Sequence, residues 1–434
     1  MSDIRIIGGN SLNGTITPSG NKNAALPMLC ATVLTDETVV LENVPDISDI
    51  NKIVALLAQL GSKINWNKES QTITINNKNL SLDRFDGKIP FGMRASLLLL
   101  SPLLYRFKTI IIDNQVGGCT LGIRDFDPYI NMLKDLGGTV TKKDGQIVMS
   151  IEQTFKPNQL WPNYASVTST ENIIMAAVVA DGETTLMNAA SEPHVQDLCH
   201  MLVSMGAEID GIGSSKLIVS GKHSLSGATA RVSSDHQEIA TFLALGAMTN
   251  GRIAVEDALP EHFPLIISEF KKLGVAITFD GNTAIVEKNQ SFEPEKPFTE
   301  NYIPRIEAAP WPYFPVDILP LMIALSLKTK GPTRFWNKVY EGGMFWVTEF
   351  LKMNVRLEIM DPHRIIVLGP TEIKAANLQC PGIIRATVAL MMAAMAAEGT
   401  STLQNIDTIY RAHPNFIENL ESIGANIEYI DTPH

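Results

Sequence analysis

Charged residues at predicted helix starts, or just after strands, are the part of this sequence with the clearest chemical potential. Helix N-termini carry partial positive charge and free N–H groups, so they favour phosphate and carboxylate groups. Five of the seven residues in such places are cationic, although the chain has a formal net charge of −11. The seven are Lys22, Arg94, Asp235, Asp317 and Arg385 at helix starts, and Arg124 and Arg411 after strands. The pattern predicts a site for an anionic ligand between two domains.

Each of these residues also has an ordinary structural interpretation. A lone Asp at a helix start, such as Asp317, is more often an N-cap than a catalytic base. An Arg or Lys at a helix start opposes the helix dipole, so a purely structural role is less expected for the cations.

Cys119 is the cysteine whose surroundings favour chemistry. It lies in a loop that also contains Gly117, Gly118 and Gly122, and Arg124 nearby would lower the pKa of its thiol. On these residues alone, a reactive thiol and an inert one both remain open. The eight histidines show no HExxH or other metal-ligand spacing, and we interpret His236 as structural.

A repeated helix ending reveals the elements that must position these residues. Six segments end an amphipathic helix, stop it at a glycine or an asparagine, and begin a strand. The stops are separated by 68 to 80 residues and lie at Gly61, Gly137, Gly206, Gly274, Asn354 and Gly424. Six copies of a unit near 70 residues predict a repeated architecture.

The first copy shows the parts of the unit. Residues 14–18 and 37–41 are typical of strands, 21–33 and 47–60 of helices, and 63–66 with 72–75 of a hairpin. The order is βαβαββ. The first helices of the copies start near residues 21, 93, 170, 236, 316 and 385, and are apolar nearly all round, which predicts burial. The second helices have one charged face and should lie outside. Three units around three buried helices make one α/β domain, so six units predict two domains.

Composition sets wider bounds. A chain of 434 residues divides into two or more domains. No apolar run is long enough to span a bilayer, and the N-terminal sequence lacks a signal pattern, so we expect a cytoplasmic protein. The acidic charge argues against a broad nucleic-acid surface. The four cysteines form no CxxC pair, so neither a disulfide scaffold nor structural zinc is expected.

Several longer motifs carry a resemblance to a known family. They are SGNKNAALP at 19–27, MRAS at 93–96, GGCTLGIR at 117–124, SVTSTEN at 166–172, EPHVQD at 192–197, PYFPVD at 312–317 and IRATVAL at 384–390. Over essentially its whole length the chain resembles the UDP-N-acetylglucosamine enolpyruvyl transferases of peptidoglycan synthesis. The shikimate-pathway enolpyruvyl transferases share that fold, but their SKS-type signature is absent here.

The resemblance implies a fold and a domain division. The family fold is a pair of inside-out α/β barrels, each of three βαβαββ units, which close on a cleft. By analogy we expect one domain at residues 21–232 and a discontinuous one at 1–20 and 233–434. The N-terminal strand would complete the last unit of the second domain.

The resemblance also implies a reaction. The enolpyruvyl group of phosphoenolpyruvate is transferred to the sugar 3-hydroxyl of UDP-N-acetylglucosamine, and phosphate leaves. This activity belongs to cell wall biogenesis, cell shape and cell division, and requires no cofactor, metal, membrane or protein partner. Carried over by position, Lys22, Arg124 and Arg411 would hold the phosphate and Arg385 the carboxylate. Cys119 would be the acid, Asp317 the candidate base and Asn23 the residue that orients the sugar. Ser166 and Val167 would line the nucleotide pocket, with Arg94 a further substrate-binding candidate.

Departures from the family pattern keep alternatives open. Gly343 stands where a second carboxylate-binding arginine is usual, and Ile383 replaces an acidic residue two before Arg385. In the uridine pocket, residues 125–127 replace a PVD-type segment, Thr168 replaces a glycine, and His236 replaces an arginine. Three hypotheses follow: the family reaction, a divergent transferase that acts on another nucleotide or sugar acceptor, and a non-catalytic binding relative. The retained cations and Cys119 favour catalysis.

Overall fold

The computed structural model describes residues 2–85, 88–89, 94–113, 126–143, 145–295, 298 and 302–430. Its internal contacts divide these residues into two units. We call residues 20–233 the N-unit, and residues 2–19 with 234–430 the C-unit. Each unit has its own hydrophobic core, built around apolar helices that are covered by four-stranded sheets.

Two strands of the C-unit open the chain, and the N-unit follows. The opening strands are β1 (Asp3–Gly8) and β2 (Gly14–Ile16). The α-helices of the N-unit are α1 (Lys22–Ala31), α2 (Ser48–Gln59), α3 (Leu100–Phe107), α4 (Asp127–Asp135), α5 (Val167–Ala177) and α6 (Pro193–Ser204). Its strands are β3 (Thr38–Glu42), β4 (Lys63–Asn67), β5 (Thr72–Asn76), β6 (Lys88–Ile89), β7 (Thr109–Asp113), β8 (Thr139–Lys143), β9 (Gln146–Ser150), β10 (Gln159–Leu160), β11 (Glu183–Met187), β12 (Glu208–Asp210), β13 (Lys216–Ser220) and β14 (Thr229–Arg231). Short 3-10 helices cover Thr32–Leu34, Asp83–Phe85 and Arg94–Leu99.

The C-unit continues the same pattern. Its α-helices are α7 (His236–Met248), α8 (Pro264–Lys272), α9 (Leu319–Ser326), α10 (Ile384–Ala396) and α11 (Phe416–Ser422). Its further strands are β15 (Ile253–Val255), β16 (Ile277–Asp280), β17 (Thr283–Val286), β18 (Arg305–Ala308), β19 (Gly331–Asn337), β20 (Leu357–Asp361), β21 (Arg364–Gly369), β22 (Asn377–Gln379), β23 (Gly399–Gln404) and β24 (Asn426–Ile430). Its 3-10 helices are Pro260–His262, Phe345–Met353 and Asp407–Arg411.

Within the described residues, each unit contains three sheets of one design. A parallel edge strand is followed by an antiparallel arrangement of three, as in the order β10-β11-β13-β12. The other N-unit sheets are β14-β3-β5-β4 and β6-β7-β9-β8. The C-unit sheets are β16-β17-β15-β2, β18-β19-β21-β20 and β22-β23-β1-β24. The sequence prediction of six βαβαββ units in an α/β fold is confirmed.

The N-terminal strands both enter C-unit sheets, and this corrects one interpretation. Strand β1 lies between β23 and β24 in the last sheet, as expected. The sequence pattern predicts that residues 14–18 begin the first unit, but β2 pairs in parallel with β15 of the fourth unit. The first unit instead takes its edge strand from β14, which pairs with β3. The sequence of a three-residue strand can predict that the segment is extended. It does not predict the partner strand, which is set by residues far away in the chain.

The repeated helix stops have the predicted backbone conformation. Gly61 has a φ of 104°, and the glycines at the other predicted stops also have positive φ. Asn354 takes the same role at φ 63°, because Asn tolerates the left-handed region better than most residues do. The helix before Asn354 is nevertheless a 3-10 helix, Phe345–Met353, rather than the predicted α-helix.

The inner helices are buried as predicted. Every residue of α7 is buried, as are the eight residues of α1 from Ala24 to Ala31 and the ten of α10 from Ala386 to Met395. Some predicted starts are wrong. Helix α5 begins at Val167 rather than near 170, and α9 begins at Leu319 rather than near 316. The predicted start at Met93 lies outside the described residues, and a 3-10 helix occupies Arg94–Leu99.

Of the helices that the structure describes, none combines the length and apolar character that crossing a membrane requires.

Candidate active site

The first turn of α1 places two of the predicted site residues side by side. The side-chain oxygen of Asn21 accepts hydrogen bonds from the backbone N–H of Asn23 at 2.8 Å and of Ala24 at 3.3 Å. Asn21 therefore caps the helix. Lys22 and Asn23 follow at the start of the helix, both half-buried.

Lys22 has a carboxylate neighbour within the N-unit. Its Nζ lies 3.5 Å from Oδ2 of Asp49, a buried residue in the first turn of α2. The two side chains are only 16% and 9% exposed. A phosphate at Lys22 would share the ammonium with this carboxylate, so further cations must supply part of the attraction.

Ser166 and Val167 open α5. Ser166 is its N-cap, and its Oγ accepts a hydrogen bond from the N–H of Ser169 at 3.4 Å. Val167 is the first helical residue and is half-buried. The predicted nucleotide-pocket residues therefore lie at a helix start, where backbone N–H groups and the helix dipole favour an anion.

In the C-unit, Arg385 reaches from the first turn of α10 to the first turn of α7. Its side chain, 11% exposed, donates to Oε1 of Gln237 and lies 3.5 Å from Oδ2 of Asp235. It also contacts Nε2 of His413, a residue between the 3-10 helix Asp407–Arg411 and α11. Three acceptors from two further segments therefore hold one guanidinium.

Asp235 combines a capping role with the role of counter-ion. It is the N-cap of α7, and Oδ1 accepts from the N–H of Gln237 at 2.9 Å. Burial acts most strongly and would raise the pKa of Asp235, but the charge of Arg385, the neighbouring histidines and the hydrogen bond from Gln237 together lower it. Although Ile383 replaces the family's acidic residue, a carboxylate still lies beside Arg385.

Gln237 connects Arg385 to Asp317. Its Oε1 faces Arg385, and its Nε2 donates to Oδ2 of Asp317 at 3.4 Å. Asp317 lies two residues before α9 and is not its N-cap, because Ile318 occupies that position. The capping interpretation of Asp317 is therefore wrong, and its carboxylate lies in a polar cluster with Arg385.

The cluster continues into the interior through His413 and Glu238. Nδ1 of His413 lies 3.6 Å from Oε2 of Glu238, and both side chains are 1% exposed. Glu238 accepts from the backbone N–H of Ser19 at 3.0 Å and from its hydroxyl. We call Ser19, Asp235, Gln237, Glu238, Arg385 and His413 the Arg385 network.

The remaining predicted residues lie in short 3-10 helices or outside the described residues. Arg411 is exposed and ends the 3-10 helix Asp407–Arg411, two residues before His413. Arg94 begins the 3-10 helix Arg94–Leu99. Cys119 and Arg124 fall outside the described residues.

The described cysteines are poor nucleophiles. Cys30, Cys199 and Cys380 are all buried. Burial raises the pKa of the thiols of Cys199 and Cys380 to about 12, and raises that of Cys30 well above its ordinary value. The described residues also contain no group of three or more His, Cys, Asp or Glu side chains suited to a metal ion.

At Gly343 the structure leaves no room for a side chain. A Cβ built there would lie 2.0 Å from Nδ2 of Asn337. Lys338, the cation nearest to Gly343 in the sequence, pairs with Glu307 at 2.6 Å and lies over the ring of Trp336. Its charge is therefore already matched on the surface of the β18–β19 sheet.

The sequence patterns do not single out Gln237, Glu238 and His413, although all three belong to the Arg385 network. The available signal was their position, because Gln237 and Glu238 follow the flagged Asp235 and His413 lies two residues after the flagged Arg411. Their contacts with Arg385 or with each other join residues far apart in sequence, so local patterns do not reveal them.

Comparison with known proteins covers nearly the whole chain. The family model described as EPSP synthase (3-phosphoshikimate 1-carboxyvinyltransferase) matches residues 6–420. The UDP-N-acetylglucosamine 1-carboxyvinyltransferase of Borreliella burgdorferi is 38% identical over 430 residues, covering 99% of each chain. The protein of that name from Bradyrhizobium diazoefficiens is 37% identical over 437 residues, again 99% of each chain. Among solved structures, the enolpyruvyl transferase NikO from Streptomyces tendae aligns over 100% of both chains with a TM-score of 0.86 and 20% identity.

Proposed function

The chain belongs to the EPSP synthase family and has the fold of the enolpyruvyl transferases, and we propose that it transfers the enolpyruvyl group of phosphoenolpyruvate to the 3-hydroxyl of UDP-N-acetylglucosamine. Phosphate is the second product. Relatives at 35–38% identity over nearly their full length carry the corresponding name, which supports this acceptor.

The observation that carries the proposal is the pairing of Arg385 and Asp317 through Gln237. A half-buried guanidinium suits the carboxylate of phosphoenolpyruvate, and a nearby carboxylate suits removal of a proton from an attacking hydroxyl. Gln237 contacts both side chains, so their separation is fixed by one amide. The C-unit thus offers an anion-binding group and a candidate base in one cluster.

The other roles are those that the family resemblance implies for the matching positions. Lys22, Arg124 and Arg411 bind the phosphate that leaves, and Cys119 donates a proton to the methylene carbon of phosphoenolpyruvate. Asn23, Arg94, Ser166 and Val167 bind the UDP-sugar. Fixed cations near the departing phosphate stabilise its charge, and an acid and a base are needed because addition is followed by elimination.

A different nucleotide or sugar acceptor is the second candidate. Gly343 favours it, because a Cβ there would meet Asn337 and the site cannot hold the usual arginine without a change in packing. Thr168 and His236 also alter the expected uridine pocket.

Phosphate release with phosphoenolpyruvate and a panel of UDP-sugars and other nucleotides tests both candidates. We expect the fastest turnover with UDP-N-acetylglucosamine, and no phosphate release when the acceptor is omitted. Faster turnover with another acceptor would replace the first proposal by the second. Absence of turnover with every acceptor would favour a non-catalytic binding relative.

The cellular setting is part of the same proposal. The reaction would supply peptidoglycan precursors, and through them cell wall biogenesis, cell shape and division. We place it in the cytoplasm, where phosphoenolpyruvate and nucleotide sugars are made. Loss of the gene product should then deplete the enolpyruvyl sugar nucleotide in cell extracts, and an unchanged level would contradict this placement.

A further inference from the structure

Arg385 needs external contacts to hold one direction, because arginine has a long side chain with many rotamers. A guanidinium has five N–H donors, and Asp235, Gln237 and His413 take three of them. The two other N–H groups, one on Nε and one on Nη1, point in different directions, and each can donate to a further acceptor. The three acceptors therefore set the direction in which the remaining N–H groups of Arg385 point toward a substrate.

His413 is the acceptor whose protonation state the geometry fixes. A guanidinium is always protonated and only donates, so Nε2 of His413 must carry a lone pair toward Arg385. A neutral imidazole has one N–H, which must then be on Nδ1. Nδ1 lies 3.6 Å from Oε2 of Glu238, a charge contact that is longer than a hydrogen bond, and Glu238 is held by Ser19. A chain of contacts thus runs from Ser19 to Arg385.

His413 lies too deep to touch a substrate. Its side chain is 1% exposed, and its ring packs against Phe416 at a centroid distance of 5.4 Å. It is therefore placed to act on the reaction indirectly, through its contact with Arg385.

We propose that His413 is a positioning residue that fixes the direction of Arg385 through an unprotonated Nε2, with the negative charge of the nearby Glu238 favouring the proton on Nδ1. The inference rests on the proposed function, in which Arg385 binds the carboxylate of phosphoenolpyruvate. With Gly343 in place of a second arginine, that carboxylate depends more strongly on the orientation of Arg385.

Two isosteric substitutions separate the two ring nitrogens. His413→Gln places an amide near Nε2, so it can still accept from Arg385. His413→Asn places the amide near Nδ1 and loses that contact. We expect His413→Asn to raise the KM for phosphoenolpyruvate about tenfold, the size of one hydrogen bond to a charged group, with kcat changed by less than about threefold. His413→Gln should keep the KM within about threefold of the parent enzyme.

A matched control is His262→Asn, which removes another buried histidine of the C-unit. It should leave the KM for phosphoenolpyruvate unchanged. The proposal is overturned if the Asn and Gln variants at 413 raise KM equally, if neither does, or if His262→Asn reproduces the effect.

A spectroscopic measurement without substrate separates this inference from the proposed function. In protein labelled with ¹⁵N-histidine, the His413 signals, assigned by their loss in His413→Gln, should show a neutral ring with the proton on Nδ1. The Arg385 side-chain signals should shift in His413→Asn and stay nearly in place in His413→Gln. A proton on Nε2, or equal Arg385 shifts in both variants, overturns the contact. If the parent protein lacks turnover with phosphoenolpyruvate, the proposed function fails while these spectra still decide the positioning of Arg385.

Discussion

Substitution at Gly343 tests how closely this chain follows the chemistry of its relatives. Gly343→Arg restores the residue type that is usual there, and Gly343→Ala adds only the Cβ. Either Cβ would lie 2.0 Å from Nδ2 of Asn337, so the Asn337 side chain must move. That side chain is 3% exposed, and its Oδ1 accepts from the N–H groups of Val339 and Tyr340 at 3.0 Å each.

The expected loss of stability follows from breaking those two hydrogen bonds. Each contributes about 1 kcal/mol to stability, so Gly343→Ala should lower the free energy of unfolding by about 2 kcal/mol. For a unit of this size the corresponding fall in Tm is about 4–8 °C. Asn337→Ala loses the same bonds by another route. In the Asn337→Ala background, Gly343→Ala should leave the free energy of unfolding nearly unchanged. The two substitutions therefore have a coupling energy of about 2 kcal/mol.

The arginine itself adds a charge to the site. Relative to Gly343→Ala, Gly343→Arg should lower the KM for phosphoenolpyruvate by roughly ten- to a hundredfold, because one Arg–carboxylate contact contributes about 1.5–3 kcal/mol. Thermal unfolding and a phosphate-release assay measure the two effects separately. An unchanged Tm in Gly343→Ala, or an additive double variant, would refute the packing argument. If Gly343→Arg has no effect on KM or abolishes activity beyond the alanine control, the carboxylate site has been rebuilt.

Four further expectations rest on other parts of the chain. Fosfomycin with acceptor, or a maleimide, should label Cys119 alone, because the three described cysteines are buried and have raised thiol pKa values. Peptide mass spectrometry that finds label at Cys30 or Cys199 would contradict this prediction. Asp317→Asn should reduce kcat by about 10²–10⁴-fold with a smaller change in KM, and steady-state kinetics with kcat preserved would remove it as the base. Burial raises the pKa of Asp197 to about 6 from an ordinary value near 3.8. Between these two pH values the folded state holds a proton that the unfolded state has released. The free energy of unfolding should therefore fall by up to about 3 kcal/mol as pH rises from about 4 to 6. The free energy of unfolding, measured with urea, should depend less steeply on pH in Asp197→Asn. An identical slope would mean that other groups cause the pH dependence. Finally, we propose residues 21–232 as one domain and 1–20 with 233–434 as the other, so a fragment of residues 21–232 should unfold cooperatively on heating, and a fragment without a cooperative transition would reject this boundary.

The repeated architecture was determined by the sequence alone, because its signals are local. Apolar spacing within 15 residues predicts a buried helix, and a residue that must adopt positive φ predicts its end. Asn354 shows that the signal is conformational, since it takes the backbone geometry of the five glycines without being one. The cations at helix starts were likewise recognisable from type and position.

The partners of these elements were decided only by the tertiary structure. Strand β2 and strand β14 each have an unremarkable local sequence, yet they pair in parallel with β15 and β3 respectively, far away in the chain. Arg385 is 150 residues from Asp235, and the contact between them has no local signature. The steric barrier at Gly343 is also invisible in sequence, because it depends on where the Asn337 side chain is held by its own hydrogen bonds. Hydrogen bonds and packing act through distance in space, whereas sequence patterns report only the conformation of neighbouring residues.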